Sequence, residues 1–316
     1  MTDSGVPILL IVGPTAVGKT EISVLVAEHL NGEIISADSR QIYRGMDIGT
    51  AKPEPQLLAR AAHHLIDVAD PGEDFNAVRF AGMAREAIVD IHGRGRYPIV
   101  VGGSGLYIRA LLDGLFLGPP ASPRIRAELQ QVIEELGSPE LHARLEEVDA
   151  DAAQAIHPND AVRIVRAMEV FMLTGDPISR LRERVSEDNP PLDATVVGLT
   201  RNREDLYDRI NRRVDQMMDA GLVDEVRRLV EQGRGGERSW DAVGYREIAA
   251  SLRGDISLEQ ALQQIRTNSR RYAKRQITWF SKDPRVQWIA LSPASRAKDI
   301  AEEIVALTAR ASNPKT

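Results

Sequence analysis

The feature that most constrains the fold is a glycine-rich loop between an apolar run and a helical pattern. The loop reads GPTAVGKT and consists of Gly13, Pro14, Thr15, Ala16, Val17, Gly18, Lys19 and Thr20. It matches G-x-x-x-x-G-K-[ST], in which backbone N–H groups and the lysine surround a phosphate at a helix start. The threonine hydroxyl of such a loop binds Mg²⁺, so Thr20 is a candidate metal ligand. The motif predicts a diphosphate or triphosphate site.

Short apolar runs alternate with helical patterns through the first third of the chain. The runs predict strands at 8–12, 33–37, 65–68 and 97–101, and the periodic segments predict helices at 19–30, 75–91 and 106–112. Continuous apolar strands separated by helices are typical of a parallel sheet covered on both faces. This part of the chain is therefore predicted to be an α/β domain.

The pattern changes after Gly114, where strand signals stop until residue 195. Helices are predicted at 124–136, 139–147 and 161–173, followed by a strand at 195–199 that resumes the sheet. Later segments predict helices at 203–220, 223–232 and 258–280 and a strand at 286–291. The predicted fold class is α/β: a P-loop parallel sheet with helices on both faces, a helical insertion and a mostly helical C-terminal portion. The predicted catalytic core comprises 1–117 and 192–316, and the insertion comprises 118–191.

The composition excludes several kinds of site. The 316 residues include no cysteine, which excludes disulfides, Cys-ligated zinc, iron–sulfur clusters and a thiol nucleophile. The apolar run from Val6 stops at Gly13, too early for a signal peptide or a membrane span, so we expect a cytoplasmic protein without a membrane partner. His63 and His64 lack the accompanying ligands of a metal site. No obligate protein partner is evident, and we expect a monomer.

Polar residues follow two further predicted strands. Asp38, Ser39, Arg40 and Gln41 come after the second strand, and Ser104 lies in the GGSG run after the strand at 97–101. Ligands of open parallel sheets bind at the carboxyl ends of the strands, so these residues are expected near the P-loop. Asp38 is a candidate general base, or a turn residue with no chemical role. Ser104 is a candidate phosphate ligand, or a plain helix N-cap.

Six segments together resemble the tRNA dimethylallyltransferase family. They are GPTAVGKT, SADSRQIYRGMDIGTAKP, GGSGLY, IHPND, AVGYREI and KRQITWF, in that order. The resemblance implies transfer of a dimethylallyl group from dimethylallyl diphosphate to N6 of the adenine 3′ of the anticodon, at tRNA position 37. It implies three ligands: the tRNA anticodon stem-loop, dimethylallyl diphosphate and Mg²⁺. A kinase would need a Walker B aspartate to hold magnesium, and the only candidate for it, at 65–68, is weak. A P-loop that holds a leaving diphosphate transfers no phosphoryl group, which accounts for this weak signal.

The resemblance assigns roles to further residues. It implies that Asp38 removes the N6 proton, and that Ser104 and Arg227 act with it as catalytic residues by contacting the diphosphate. Contacts with tRNA are implied for Asp38, Ser39, Arg40, Gln41, Ser104, Arg126, Arg163, Arg166, Gly244, Tyr245, Arg246, Lys274, Arg275 and Gln276. Val162 departs from the family pattern, which usually has glutamine there, so no contact is inferred for it. Tyr272 and Trp279 are interpreted as core residues.

The distribution of charge favours an RNA partner independently. The net charge is −6, but residues 238–282 contain nine Lys and Arg against four Asp and Glu, so this segment carries +5 and the remainder −11. Arg266, Arg270 and Lys274 recur every four residues, which places them on one face of the predicted helix. Such a face suits a phosphate backbone, although an ordinary solvated helix has the same pattern.

Three alternatives remain open from the sequence. An adenylate isopentenyltransferase acting on free AMP would share the P-loop and the aspartate, but the helical insertion and the basic C-terminal helix favour tRNA. A P-loop kinase for a nucleotide or small molecule would need further elements of phosphoryl transfer. A non-catalytic RNA-binding protein would use the P-loop only to sense a nucleotide.

Overall fold

A six-stranded parallel sheet forms the centre of the protein. The computed structural model describes residues 5–116, 118–187 and 190–311, without the side chains of 185–187, 237–238 and 310–311. The strands are β1 (Pro7–Val12), β2 (Gly32–Ser36), β3 (His63–His64), β4 (Tyr97–Gly102), β5 (Asp193–Arg201) and β6 (Val286–Leu291). Their order is β3-β2-β4-β1-β5-β6, with every neighbouring pair parallel. The predicted α/β fold class is confirmed.

Strand β1 lies between β4 and β5. Leu9 pairs with Ile99 of β4 on one side and with Thr195 of β5 on the other. Every residue from Ile8 to Val12 is fully buried, as expected for a parallel strand covered on both faces. The carboxyl ends of β1, β2 and β4 consequently meet at one edge of the sheet.

Helices connect the strands and make up the C-terminal part. Before β5 they are α1 (Lys19–Leu30), α2 (Pro55–Leu58), α3 (Ala77–Gly93), α4 (Gly105–Asp113), α5 (Pro123–Leu136), α6 (Ser138–Val148), α7 (Ala150–Ala155), α8 (Ala161–Thr174) and α9 (Ile178–Glu187). After β5 they are α10 (Arg203–Asp219), α11 (Leu222–Glu231), α12 (Glu237–Trp240), α13 (Tyr245–Leu252), α14 (Leu258–Phe280) and α15 (Ala297–Ala311). In the described ranges, none of the helices is long and apolar enough to span a membrane.

A hydrophobic cluster joins the sheet to the helices that carry the site. Leu9 of β1 and Leu199 of β5 belong to the same cluster as Ile22 of α1, Ile210 of α10 and Ala273 of α14. Burial of each Leu or Ile side chain contributes about 1.5–3 kcal/mol. Helix α14 begins where Ser257 accepts a hydrogen bond from the Gln260 N–H at 3.1 Å, in a capping box. The core therefore fixes α10 and α14 beside the carboxyl edge of β1.

The chain divides into two compact units. One comprises Met1–Leu112 and Pro191–Thr316 and contains the sheet, and the other is Asp113–Pro190. The second unit has its own hydrophobic cluster, with Leu141 and Ile164 at its centre. It includes α7 and α9, which were not predicted because their short polar sequences carry little apolar periodicity. Leu117, where the predicted core segment ends, lies outside the described residues.

The prediction of a strand at 65–68 is wrong. The edge strand β3 consists of His63 and His64, which pair with Ile34 and Ile35 of β2. Leu65 and Asp67 have φ angles of 61° and 56°, and such left-handed residues break a strand. The Asp67 carboxylate lies 2.5 Å from the Lys52 ammonium, so the weak Walker B candidate belongs to an ion pair.

Candidate active site

The P-loop connects β1 to α1 at the carboxyl edge of the sheet. Gly18 is the N-cap of α1 and has a φ of 116°, a left-handed conformation that a side chain would strain. Glycine offers no side chain to cap the helix, so the first N–H groups of α1 and the helix dipole suit an anion.

Lys19 lies inside the loop. Its Nζ donates to the carbonyl oxygens of Gly13 at 2.9 Å and Pro14 at 2.8 Å. Burial lowers the pKa of Lys19 to about 8, while the Asp38 charge opposes this shift and the Arg213 charge adds to it. A bound diphosphate would favour the charged ammonium form, because opposite charges close together stabilise one another.

A cavity of about 640 Å³ opens beside the P-loop. Charged and polar groups line it, from Lys19, Thr20, Asp38, Arg209 and Arg213. Apolar residues line it as well: Met217 and Val243 are half-buried, whereas Ile210, Val214 and Ile265 are almost fully buried. A cavity that combines charged groups with apolar ones suits a ligand that joins an anionic group to a short hydrocarbon.

Two arginines of α10 reach the P-loop and were not found in the sequence. The Arg209 Nε donates to the Ala16 carbonyl at 2.8 Å, and the Arg213 Nη1 donates to the Thr15 Oγ1 at 3.2 Å. Burial lowers the pKa of both guanidinium groups, which nevertheless stay charged at neutral pH because arginine titrates far above it. Their spacing of four residues was the available signal, but it is common on solvated helices.

Arg227 does not line the cavity. Its guanidinium pairs with the carboxylate of Asp224 in the preceding turn of α11, and its side chain is 47% exposed. The expected contact between Arg227 and the diphosphate is therefore not supported by its position. The fold brings Arg201, Arg209 and Arg213 to the P-loop, and of these Arg209 and Arg213 line the cavity.

Asp38 follows β2 in a tight turn and lines the cavity. Its Oδ1 accepts hydrogen bonds from the backbone N–H groups of Arg40 at 2.8 Å and Gln41 at 3.4 Å. The two interpretations offered by the sequence are thus compatible, since the carboxylate holds a turn and also faces the cavity. Its charge raises the pKa values of Lys19 and Arg213 against the larger effect of burial, which places it within electrostatic reach of both.

Ser104 lies beside Asp38 in a network of hydroxyl groups. Its Oγ accepts the Ser39 N–H at 3.0 Å, and its side chain interacts with the Tyr272 phenol. Burial, with the Asp38 charge as a second cause, raises the pKa of Tyr272 to about 12, so the phenol stays protonated at neutral pH. The interpretation of Tyr272 and Trp279 as core residues is wrong: Tyr272 lines the cavity and Trp279 is 40% exposed.

Three of the residues expected to bind tRNA are buried. Gln276 is 5% exposed and its side chain bonds the P-loop and the Gly103 carbonyl. Tyr245 is fully buried, with its hydroxyl 2.5 Å from Glu225 Oε1, and Gly244 is the buried N-cap of α13. In this structure the side chains of Gln276 and Tyr245 hold backbone segments around the cavity, and the contact of these three residues with tRNA stays a prediction.

Other predicted contact residues remain accessible in the sheet unit. Arg246, Lys274 and Arg275 are exposed, and the Arg275 guanidinium lies 5.7 Å from the centre of the Tyr272 ring. Arg40 and Gln41 line the cavity. Arg266, by contrast, pairs with Asp215 at 2.5 Å, so its charge is partly neutralised. The basic face of α14 therefore lies toward its C-terminal half.

The predicted arginines of the helical unit have different environments. Arg126 and Arg166 pair with the fully buried Glu169 at 2.8 Å and 2.6 Å. Burial alone would raise the pKa of Glu169, but hydrogen bonds from the two arginines outweigh it and lower the value to about 2. Arg163 is 66% exposed and lies 3.3 Å from Asp160. Arg126 and Arg166 thus stabilise their own unit, whatever else they contact.

Thr20 is the residue that fits a magnesium ion. It lines the cavity at the start of α1, in the position expected from the P-loop pattern. Within the described residues there is no group of three or more His, Cys, Asp or Glu side chains able to hold a metal. A P-loop Mg²⁺ takes most of its ligands from substrate phosphates and water, so one hydroxyl is a sufficient protein ligand.

The fold and the cavity define a P-loop protein whose cavity is lined by both charged and apolar residues. The profile of the family described as IPP transferase matches residues 41–283, and that described as Isopentenyl transferase matches residues 6–68. The chain is 48% identical over 283 residues to the tRNA dimethylallyltransferase of Geobacter sulfurreducens, covering 89% of this chain and 91% of the relative. It is 45% identical over 296 residues to that of Halalkalibacterium halodurans, covering 93% and 94%.

Solved structures agree with these relatives. A tRNA isopentenylpyrophosphate transferase from Bacillus halodurans matches with a TM-score of 0.72 and 42% identity, over 98% of this chain and 99% of that one. A eukaryotic dimethylallyltransferase acting on tRNA matches with a TM-score of 0.79 and 26% identity, over 98% and 80%. The chain therefore belongs to the tRNA dimethylallyltransferase family, a family of prenyl-transferring enzymes, and the resemblance found in the sequence is confirmed.

Proposed function

We propose that this protein transfers a dimethylallyl group from dimethylallyl diphosphate to N6 of the adenine at position 37 of tRNA, releasing diphosphate. The observation that carries the proposal is the cavity in which Lys19 of the P-loop and Arg213 lie within electrostatic reach of Asp38, and which apolar residues also line. Membership of the family supports tRNA, rather than AMP, as the acceptor.

The positive groups of the cavity are suited to the leaving diphosphate. The N–H groups of the P-loop, Lys19 and Arg213 would bind it, and its negative charge grows as the C1–O bond breaks. Donors held in place before the reaction stabilise such charge without reorganising. Mg²⁺ bound to Thr20 and to the diphosphate would neutralise part of the same charge.

Asp38 is suited to accept the proton of the attacking amine. The N6 lone pair forms the new bond to C1, and the electron pair of the C1–O bond leaves with the diphosphate. The N6 proton passes to the Asp38 carboxylate. Because the N–H groups of Arg40 and Gln41 hold Oδ1, the carboxylate is oriented before the adenine arrives.

The apolar residues of the cavity are suited to the five-carbon group. Met217 of α10 and Val243 line it and are half-buried. An allylic carbon that develops positive charge reacts readily with water, so side chains that exclude water favour transfer to the adenine over hydrolysis. These apolar side chains therefore support an alkyl donor over a phosphoryl donor.

Exposed cations support an RNA acceptor. Arg271, Lys274 and Arg275 are exposed on the C-terminal half of α14, and Arg275 and Gln276 also line the cavity. The target adenine must leave its stack to enter, which costs a few kcal/mol and is offset by contacts with the backbone and the flipped base. We expect this activity in the cytoplasm and from a monomer, as inferred from the sequence.

One assay tests the proposal against the alternatives. Purified protein is incubated with Mg²⁺, dimethylallyl diphosphate labelled in its alkyl group, and either unmodified tRNA or AMP. Label in tRNA is expected. Label in AMP alone would indicate an adenylate isopentenyltransferase, and binding of tRNA without transfer of label would indicate a non-catalytic protein. ATP hydrolysis or phosphate transfer without alkyl transfer would indicate a kinase.

A further inference from the structure

One buried carboxylate holds the loop that follows the Asp38 turn. Glu225 of α11 is 2% exposed, and its two oxygens accept four hydrogen bonds. Its Oε2 accepts the N–H groups of Asp47 at 3.0 Å and Ile48 at 2.9 Å. Its Oε1 accepts the N–H of Gly49 at 3.2 Å and the Tyr245 hydroxyl at 2.5 Å. Three consecutive backbone donors thus converge on one charged acceptor, an arrangement stronger than neutral hydrogen bonds.

The Tyr245 ring completes this support. A side chain at position 49 would collide with the ring, so glycine is the residue that lets the loop approach it closely. Burial, followed by the Glu225 charge, raises the pKa of Tyr245 above its usual value, so its hydroxyl stays a donor. Glu225 and Tyr245 therefore form a rigid seat for the backbone of residues 47–49.

The same loop reaches the candidate active site by two routes. Gly49 and Thr50 line the cavity directly. Gln41 donates through Nε2 to the Ala51 carbonyl at 3.1 Å, while its backbone N–H bonds Asp38 Oδ1 at 3.4 Å. A displacement of the loop is thus transmitted to the turn that orients the Asp38 carboxylate.

We propose that Glu225 is a positioning residue for the acceptor adenine: by holding residues 47–49, it fixes the part of the cavity lining formed by Gly49 and Thr50. The proposal rests on the proposed function. Glutamine offers one acceptor oxygen and one NH₂ donor. In Glu225→Gln the NH₂ group therefore replaces either Oε1 or Oε2, and it faces hydrogen-bond donors that it cannot accept. The P-loop shares none of these hydrogen bonds, so binding of the diphosphate is separable from positioning of the acceptor.

Hydrogen exchange tests the structural half of the proposal without any activity. In Glu225→Gln, the amides of Asp47, Ile48 and Gly49 are expected to exchange about tenfold faster or more, while the amides of α1 change by less than about twofold. Glu231→Gln, on an exposed residue of the same helix, is the matched control and leaves both sets unchanged. Unchanged exchange of residues 47–49 would overturn the proposal.

Kinetics test the functional half. In Glu225→Gln, kcat/KM for tRNA is expected to fall about tenfold or more, while the Kd for inorganic pyrophosphate stays within about twofold. Tyr245→Phe, which removes one of the four hydrogen bonds, lowers kcat/KM about threefold and serves if the first variant does not fold. Equal losses of pyrophosphate affinity and of transfer, or no loss of transfer, would overturn the proposal. If the wild-type protein transfers no label to tRNA, the proposed function fails, whereas the exchange result stands by itself.

Discussion

Gln276 of α14 accepts a hydrogen bond from the backbone N–H of Thr15 in the P-loop at 2.8 Å. The Nε2 of the same side chain donates to the Gly103 carbonyl at 3.0 Å. One buried glutamine therefore joins the phosphate loop to the turn that carries Ser104. Pairing of Val12 in β1 with Gly102 in β4 brings these two parts of the site together, and a helix far from both in the sequence holds their separation.

Removing this connection is expected to damage both stability and transfer. Gln276→Ala leaves the Thr15 N–H and the Gly103 carbonyl without their partner, at a cost of about 1–3 kcal/mol in the free energy of unfolding. The kcat/KM for tRNA is expected to fall about tenfold, because the loop and the Ser104 turn lose their fixed separation. Urea unfolding and steady-state kinetics measure the two effects. Gln264→Ala, on an exposed position of α14, is the control and changes neither.

The Asp38 carboxylate is expected to be essential for transfer and dispensable for binding the diphosphate. In Asp38→Asn, the amide oxygen can still accept the N–H groups of Arg40 and Gln41, so the turn is retained, but no base remains. We expect kcat to fall by about 10²–10⁴. The Kd for pyrophosphate should stay within about threefold, since a negative charge near Lys19 is removed rather than a positive one. Transfer at the wild-type rate would contradict the assignment of Asp38.

The two candidate arginines are expected to behave differently. Arg213→Gln removes the cation that bonds Thr15 inside the cavity, and we expect kcat for transfer to fall by about 10² or more. Arg227→Gln removes an exposed cation paired with Asp224, and we expect a change of less than about twofold. Parallel kinetics of the two variants separate them. The opposite order of effects would restore the assignment made from the sequence.

The pH dependence of pyrophosphate binding is expected to follow Lys19. Its pKa in the free protein is lowered to about 8, and the ammonium form is the one that binds an anion. After division by the affinity of Lys19→Met, which corrects for the ionisation of pyrophosphate itself, the affinity should therefore be flat below pH 8 and fall by up to about tenfold per unit above it. Calorimetry between pH 6.5 and about 10 measures this. Lys19→Met should bind weakly with no such decline, and a parallel decline in this variant would assign the titration to another group.

Glu33 at the start of β2 is expected to contribute to stability in a pH-dependent way. Hydrogen bonds from Arg94, and further ones from His64, hold the pKa of this buried carboxyl at about 2 against the effect of burial, below its ordinary 4.5. A lowered pKa contributes stability above pH 4.5, and this contribution is lost as the pH falls toward 2. At pH 7, Glu33→Gln should cost about 3 kcal/mol in urea unfolding. The difference in the free energy of unfolding between Glu33→Gln and wild type should shrink as the pH is lowered. Glu86→Gln, at an exposed position of α3, is the control and should show no difference at any pH.

Much of the fold could be predicted from the sequence because its signals are local. The bounds of α1, α14 and β6 follow from periodicity and from residues such as Ser257, which caps α14. The failure at 65–68 also has a local cause. Leu65 and Asp67 adopt left-handed backbone conformations, which the hydropathy pattern of the segment does not reveal. Strand β3 has two residues and lies at the edge of the sheet. Both are only half-buried, so the strand has no run of apolar residues by which to recognise it.

The candidate site was harder to predict, because its parts meet only after folding. The P-loop and Asp38 carry their chemistry in short motifs and were found. Arg213 and Gln276 lie on helices whose polar residues look solvated in the sequence, and only the packing of α10 and α14 against the P-loop gives them partners. Whether a residue faces a ligand or supports another residue depends on its burial. Tyr245 is an example, because it lies in a sequence motif but is fully buried against Glu225. The sequence alone does not reveal burial of this kind.

The position of β1 between β4 and β5 has a consequence for biosynthesis. Residues Pro7–Val12 pair with residues Asp193–Gly198, which emerge from the ribosome only after the whole helical unit Asp113–Pro190 has been made. Until then β1 has one unsatisfied edge, and exposed strand edges promote aggregation. The helical unit has its own hydrophobic cluster and so can fold while the sheet waits for its fifth strand. A nascent chain whose helical unit has emerged from the ribosome but whose β5 has not would therefore present an open edge of β1, the stage at which this protein is most prone to aggregate.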